Sequence, residues 1–204
     1  MTLTPGLNPL FLAPPALSLA VGLFLAGLAL VKGGGRTEPR LFALVCLWMS
    51  ILCLAFISHF LVSDPDRLLT VERIIHFFYV YFPAVTLVFF LRVLNAPHPR
   101  LVATSFTLSF LISLTTPTDL YFTGHYHYSW GMIARGGPAF HLFGIYSFGV
   151  LGYSFSCFYR RLRSESNPVL RLKFTYILIS FGLSCTLILL NIPAINGIDF
   201  YPLG

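Results

Sequence analysis

Six long runs of apolar residues constrain this chain more than any other feature of its sequence. Each run is about 20 residues long, which is the length that an α-helix needs to cross a bilayer. Only 10% of the 204 residues are charged, whereas a soluble domain carries about 25%. The sequence therefore predicts an all-α fold, a polytopic transmembrane helix bundle that forms a single domain over residues 1–204. The six predicted spans cover residues 10–31, 41–62, 74–94, 101–116, 140–159 and 169–192.

Two of the runs should depart from a regular span. The run 101–116 would cover only about 24 Å as a helix, which is less than the ~30 Å thickness of the hydrocarbon core. We therefore expect it to be extended by its neighbours or sheltered within the bundle. Pro83 lies in the middle of the third run and predicts a kink there.

The charged residues lie in the linkers between the runs, and their distribution predicts the orientation of the chain. The first, third and fifth linkers carry ten basic and two acidic residues, whereas the opposite side carries three basic and five acidic residues. Because basic linkers stay in the cytoplasm, the N-terminus and the long loop between spans four and five are predicted to lie outside. The net charge of +6 thus reflects membrane topology, and the expected partner is the lipid bilayer rather than nucleic acid.

An even number of spans places both termini on the outer side. No cytoplasmic output domain can then follow Gly204 directly. Residues 199–204 resemble the approach to another helix more than a natural tail, so we expect the chain to be truncated or processed before a seventh helix. No basic residue precedes the first run, which indicates a retained helix rather than a cleaved signal peptide.

Placing a polar side chain inside an apolar span costs free energy, so the polar residues found there indicate a functional site. Several of them lie toward the outer ends of the predicted spans, and none of these spans contains an acidic residue. We predict an outward-opening ligand pocket between the spans. The alternative is that histidines near a membrane edge lie at headgroup level, as amphipathic side chains do. The predicted pocket residues are His59, His76, Tyr79, His141, Ser184 and Asn191.

Residues 118–138 form the longest segment away from the termini that is not an apolar run, and topology predicts that they cover the pocket as a lid. Their glycines and Pro138 indicate a loop with defined turns. Residues 121–130 are expected to lie on the membrane surface or to re-enter it. An aromatic belt at the interface is the alternative explanation for the Tyr, Phe and Trp residues. The predicted lid residues are Asp119, His125, His127, Trp130 and Arg135.

Motifs for catalysis and metal binding are absent from the sequence. It contains no phosphate-binding loop, no H-E-x-x-H, no G-x-S-x-G and no pair of carboxylates within a predicted span. We therefore predict that the chain is not an enzyme and that it holds no metal and no cofactor. Haem or a metal ion held by His59 and His76, or a bound quinone, is the alternative.

Five short segments carry a resemblance to a known family. They are residues 94–100, 118–120, 128–131, 135–140 and 191–197. Together they resemble the N-terminal seven-helix sensor region of bacterial histidine kinases, and the resemblance covers nearly the whole chain. It implies a sensory input module of the bacterial inner membrane that is followed by a cytoplasmic kinase, cyclase or related signalling domain. The sequence departs from the pattern because the seventh helix, the phosphoacceptor histidine and the ATP-binding segment are missing.

Two functions remain open from the sequence. The first is a membrane sensor that binds a small or lipophilic ligand from the outer side and is normally coupled to a cytoplasmic signalling domain. The second is an accessory or structural subunit of a redox or photosynthetic membrane complex. The expected protein partners are accordingly other subunits of such a complex or a second copy of the chain in a homodimer.

Overall fold

The computed structural model of the protein describes residues 9–201. Over that range the chain is mostly helical, and its helices form a bundle that a short β-hairpin covers at one end. The predicted polytopic helix bundle is thereby confirmed. Residues 202–204, the end of the predicted tail, lie outside the described residues.

The elements follow one another with short connections. A short 3₁₀-helix, Pro9–Leu12, leads into the first α-helix. The α-helices are α1 (Ala13–Lys32), α2 (Thr37–Leu61), α3 (Pro65–Tyr79), α4 (Phe82–Val93), α5 (Pro99–Ser113), α6 (Pro138–Ser164), α7 (Pro168–Leu189) and α8 (Ile192–Ile195), and the strands are β1 (Phe122–Tyr128) and β2 (Gly131–Gly136).

Five helical segments within residues 9–201 are long and apolar enough to cross a membrane. α3 and α4 together make one of them, the 29-residue segment Pro65–Val93. α5 has 15 residues and rises about 22 Å, so it is too short to cross the hydrocarbon core alone. Its serines Ser105, Ser109 and Ser113 are buried, which agrees with the expectation that this run is sheltered within the bundle.

The third span begins earlier than residue 74, where the sequence predicts its start, so residues 65–73 belong to a helix and not to a linker. α3 starts at Pro65, whose missing N–H is not needed in the first turn of a helix. The side chain of Asp64 caps this turn by accepting a hydrogen bond from the backbone N–H of Asp66 at 3.1 Å. As a result Glu72 lies inside the segment Pro65–Val93, whereas the predicted spans contained no acidic residue.

The predicted kink is present as a two-residue break between α3 and α4, with Pro83 in the first turn of α4. Side chains from neighbouring helices bond to carbonyl groups at this break. Trp48 Nε1 donates to the carbonyl oxygen of Phe78, and Ser109 Oγ donates to that of Val80, both at 2.9 Å. Such partners are needed because the bilayer core offers no water to a free carbonyl group.

The lid segment contains a β-hairpin, which the sequence analysis did not predict. β1 and β2 pair antiparallel, with Tyr128 opposite Gly131 and Phe122 opposite Gly136. Phe, Tyr and Thr side chains favour such a pleated, half-buried ribbon. Gly131 has φ of 150°, a conformation that favours glycine, directly after the two-residue turn.

The hairpin packs against the ends of α2, α3, α6 and α8, and we call this the hairpin end of the bundle. The opposite end, which we call the basic end, carries the exposed residues Arg160, Arg161 and Lys173. Between the two ends, α4 forms the centre, because nine of its twelve residues are buried. α1 and α7 lie at the periphery with mostly exposed apolar side chains, which suit contact with lipid.

Candidate functional site

A buried carboxylate lies at the hairpin end. Glu72 on α3 is 2% exposed. Its Oε1 lies 2.5 Å from Nε2 of His59 on α2, and its Oε2 lies 2.9 Å from Nε2 of His125 on β1. Because a carboxylate only accepts hydrogen bonds, each imidazole donates an N–H to it. These three residues, which we call the Glu72 cluster, join two helices and the hairpin.

The periodicity of α3 explains why Glu72 is buried. Leu68, Glu72, His76 and Tyr79 recur at helical spacing, so they share one face of the helix, and all four are buried. A carboxylate inside a membrane segment is costly unless it is paired, and the two imidazoles supply that pairing. Ionisable residues in such positions mark functional sites more often than structural ones, which directs attention to the space beside the cluster.

A cavity of about 510 Å³, which we call the main cavity, opens beside the Glu72 cluster. Its volume lies within the range of about 300–1,000 Å³ that is typical of small-molecule sites. Aromatic and aliphatic side chains from α2, α4, α6 and α7 form most of its wall. The apolar wall includes Leu52, Phe56, Phe82, Phe140, Phe143, Phe148, Leu151, Phe155, Ile188 and Leu189.

The main cavity brings together five of the six residues predicted for a pocket. His59, His76, Tyr79, His141 and Asn191 all line it. His141 is exposed at the rim, whereas the other four are buried. These residues come from α2, α3, α6 and the connection after α7, so the folding of the bundle places them together.

Several polar atoms at the main cavity lack a partner. The backbone carbonyl of Glu72 accepts a hydrogen bond from Nδ1 of His76 at 2.9 Å, so the neutral ring of His76 presents Nε2 as an acceptor. Oδ1 of Asn191 and Oγ of Ser147 are buried and have no hydrogen-bond partner among residues 9–201. An unpaired buried polar group costs roughly 1–3 kcal/mol, so a ligand that bonds to these atoms would stabilise the folded state.

Aromatic packing below the hairpin fixes the position of the His76 ring. The centroid of Phe122 lies 4.7 Å from that of His76, and Tyr121 lies 5.8 Å away. Tyr121 is fully buried, and this burial raises the pKa of its phenol well above the usual value. The phenol therefore stays protonated and the site gains no charge from it.

Two of the five predicted lid residues point into the protein. His125 belongs to the Glu72 cluster, where its side chain is 3% exposed. Trp130 is buried at the tip of the hairpin and donates from Nε1 to Oδ1 of Asp199 at 3.0 Å. Tyr128, between them, donates its hydroxyl to the carbonyl oxygen of Ala194 at 2.7 Å. The hairpin is thus attached to α3 and to the segment that follows α7.

None of the five predicted lid residues lines the main cavity, and the other three are exposed. Asp119 is exposed and pairs with Arg73 at 2.6 Å, where the hairpin leaves α5. His127 is exposed on β1. Arg135 is also exposed, and its guanidinium lies 5.5 Å from the centre of the Tyr126 ring. These contacts hold the outer face of the hairpin and do not reach the cavity.

A smaller cavity of about 400 Å³, which we call the side slot, lies between α1, α2 and α7. Ser184, the sixth predicted pocket residue, lines the side slot and not the main cavity, and its hydroxyl donates to the carbonyl oxygen of Ser180 at 2.9 Å. The side slot meets the main cavity along a common wall. The shared wall residues are Leu52, Phe56, His59, Phe82, Cys185 and Ile188.

Sequence reasoning missed Glu72 and its contact with His125. The signal that could have found Glu72 is the pair Asp64 and Pro65, which marks a helix start. Continued from Pro65, the helical period puts Glu72 on the face that carries His76. The contact with His125 joins residues 53 positions apart, and no local pattern predicts such a pairing.

Metal binding was predicted to be absent, with haem or a metal on His59 and His76 as the alternative. Within residues 9–201, no group of three or more His, Cys, Asp or Glu side chains has the arrangement that would hold a metal ion. His59 directs Nε2 to Glu72, and His76 directs Nδ1 to a backbone carbonyl. The prediction that the chain carries no cofactor stays a prediction.

Comparison with known proteins gives one match. The sequence model of the family described as the N-terminal 7TM region of histidine kinase matches residues 14–204. The matched range includes every residue of the main cavity and of the hairpin. No curated protein and no solved structure gives a significant match.

Proposed function

Because the chain belongs to the family of N-terminal 7TM regions of histidine kinases, we propose that its main cavity binds the stimulus, a small amphipathic ligand whose head donates a hydrogen bond. Membership of the family makes the chain a membrane sensory input module. This region is a non-catalytic input domain. The proposal adds a site and a ligand class to that general role.

The unpaired acceptors at the main cavity carry the proposal. His76 and Asn191 both line this predominantly apolar space, and Asn191 Oδ1 is a buried acceptor without a partner among residues 9–201. A hydroxyl head can donate to Asn191 Oδ1 or to His76 Nε2, while an apolar body covers the aromatic wall. A site with buried acceptors binds a hydroxyl-bearing ligand far better than an analogue that lacks the donor, because the acceptors then remain unpaired.

The Glu72 cluster favours an uncharged head. An anionic head would meet the carboxylate of Glu72, and any charged head would lose its hydration on entering an apolar cavity. The imidazoles of His59 and His125 already pair with both oxygens of this carboxylate, so a cationic head would have to displace one of them. A neutral alcohol meets none of these costs.

Ligand binding at His76 is close enough to the hairpin to affect its attachment. His76 donates to the backbone carbonyl of Glu72, and the side chain of Glu72 holds His125 on β1. A ligand that moves His76 therefore acts on the residue that fixes the hairpin. With the hairpin end outside, as the linker charges predict, the ligand reaches the cavity from the outer half of the membrane.

Thermal unfolding of the purified chain in detergent micelles tests the proposal, with 1-decanol and its methyl ether 1-methoxydecane as probes. We expect decanol to raise the unfolding temperature in a concentration-dependent manner, because it binds the folded state. The ether carries no donor and should have a much smaller effect. The double variant His76→Leu/Asn191→Leu should lose the response to decanol.

The matched control is His98→Leu, which replaces an exposed histidine near the basic end. It should respond to decanol as the parent chain does. Equal stabilisation by decanol and by the ether, or a double variant that still responds like the parent, would contradict the proposal.

A further inference from the structure

The side slot has the depth of one membrane leaflet. Along α1 its lining extends from Pro14 to Leu25. At about 1.5 Å per residue this stretch rises ~16 Å, which is close to half of the ~30 Å hydrocarbon core. The stretch begins near the hairpin end, where Trp130 and Tyr201 also line the slot. These dimensions match an extended hydrocarbon chain that lies parallel to the lipid tails.

The side slot is open toward the surface between α1 and α7. Val21 and Leu25 on α1 line it and are 47% and 36% exposed. On α7, Ser180 and Ser184 line it and are also exposed. Both helices belong to segments that are apolar enough to cross the membrane. In a bilayer, the molecules at this opening are therefore lipid tails and dissolved lipophilic ligands.

The side slot lies directly beside the main cavity, and the two spaces share part of their lining. The common wall contains Phe82 of α4 and Cys185 of α7, and it also contains His59, which belongs to the Glu72 cluster. A molecule that enters from the lipid has to extend past the side chains of this wall to reach the main cavity. Its head then lies at His76 and Asn191, while its tail stays between α1 and α7.

We infer that the side slot holds the hydrocarbon tail of the ligand, a single-chain neutral lipid that enters sideways from the leaflet at the hairpin end. The inference rests on the proposed function, because the head of this lipid occupies the main cavity. A phosphate head is disfavoured beside the Glu72 carboxylate, so the occupant is a long-chain alcohol rather than a phospholipid. The slot thus determines the length of the tail, and the main cavity determines the chemistry of the head.

Photolabelling of the chain in phosphatidylcholine nanodiscs tests the inference. The probe is 1-hexadecanol with a diazirine near the end of its tail, and labelled peptides are identified by mass spectrometry. Labelling should concentrate on residues inside the slot, such as Val21 and Met49. An excess of unlabelled 1-hexadecanol should suppress labelling at these positions, and this part of the test needs no variant.

Two tryptophan variants of α7 provide a matched pair. Ser184→Trp fills the slot and should abolish labelling inside it. Ile179→Trp changes a 62% exposed residue that lines neither cavity, and it should leave the labelling unchanged. The inference would be overturned by labels that spread evenly over the lipid-facing residues. Unlabelled 1-hexadecanol would then not suppress the labelling, and the two variants would be labelled equally.

The response to decanol separates this inference from the proposed function. If decanol stabilises the parent but slot labelling is absent, only the inference about the tail is wrong. If decanol does not stabilise the parent either, the proposed function is wrong as well.

Discussion

Two of the polar groups in the described part of the bundle differ in how their hydrogen bonds are completed. In the first, the hydroxyl of Tyr146 on α6 lies 2.6 Å from Oγ of Ser105 and 3.0 Å from Oγ of Ser109 on α5. Ser109 also donates to the carbonyl oxygen of Val80. We call this the Tyr146 cluster. Its hydroxyls bond to one another and to the backbone, so it joins α5, α6 and the break after α3.

The second group consists of polar residues at the main cavity. Some of their polar atoms have no hydrogen-bond partner among residues 9–201. Asn191 and Ser147 have free oxygens within the described part of the chain, and His76 presents an acceptor nitrogen. Polar groups inside a membrane segment are costly in both places. The Tyr146 cluster offsets that cost with internal bonds, whereas the main cavity leaves bonds for a ligand. Incomplete hydrogen bonding beside a cavity therefore distinguishes the binding site from the structural cluster.

The Glu72 cluster should give the largest effect on stability. Glu72→Ala leaves two buried imidazole N–H groups without their acceptor, and each unpaired buried group costs about 1–3 kcal/mol. We expect the variant to unfold at a much lower temperature in micelles, with the hairpin more accessible to protease. The control is Glu38→Ala at the basic end, which removes a partly exposed pair with Arg92 and should change the unfolding temperature far less. Similar losses in both variants would mean that Glu72 does not hold the hairpin.

The Tyr146 cluster should give an intermediate effect on stability and none on binding. Tyr146→Phe removes the hydroxyl that bonds to Ser105 and Ser109, and such a loss costs about 1–3 kcal/mol. The response to 1-decanol should remain that of the parent, because Tyr146 does not line the main cavity. Loss of the decanol response would show that both clusters contribute to one site.

Asn191 should show the opposite behaviour. Asn191→Leu removes an oxygen that has no partner among residues 9–201, so the free energy of unfolding should change by less than ~1 kcal/mol. The affinity for 1-decanol should fall roughly tenfold or more, since a hydrogen bond to a buried partner is lost. Titration in micelles measures both quantities in one preparation. A variant that is strongly destabilised and still binds decanol would contradict the assignment.

The helical fold could be predicted because the membrane imposes it. Hydrocarbon excludes water, so each crossing segment must bond its own backbone, and its length follows from the thickness of the bilayer. His76 and Tyr79 were predicted to lie in a pocket between the spans, and both lie on the buried face of α3. The kink at Pro83 followed from its missing N–H. All of these are local consequences of sequence.

The parts that could not be predicted depend on contacts between distant residues. Glu72 lies between the second and third predicted spans, whereas in the structure Asp64 and Pro65 begin a helix that contains it. The partner His125 lies on a hairpin that was not predicted, and its contact with Glu72 spans 53 positions, so no local pattern revealed it. Ser184 shares a helix with residues of the main cavity, but the packing of α7 places it in the side slot.

The position of a bound alcohol tests the central claim most directly. We would crystallise the chain in a lipidic phase with 10-bromo-1-decanol and locate its bromine by anomalous scattering. The account predicts the hydroxyl in the main cavity, within about 3 Å of Asn191 or of Nε2 of His76. An alcohol found only on the lipid-facing surface, with no density in the main cavity, would contradict it.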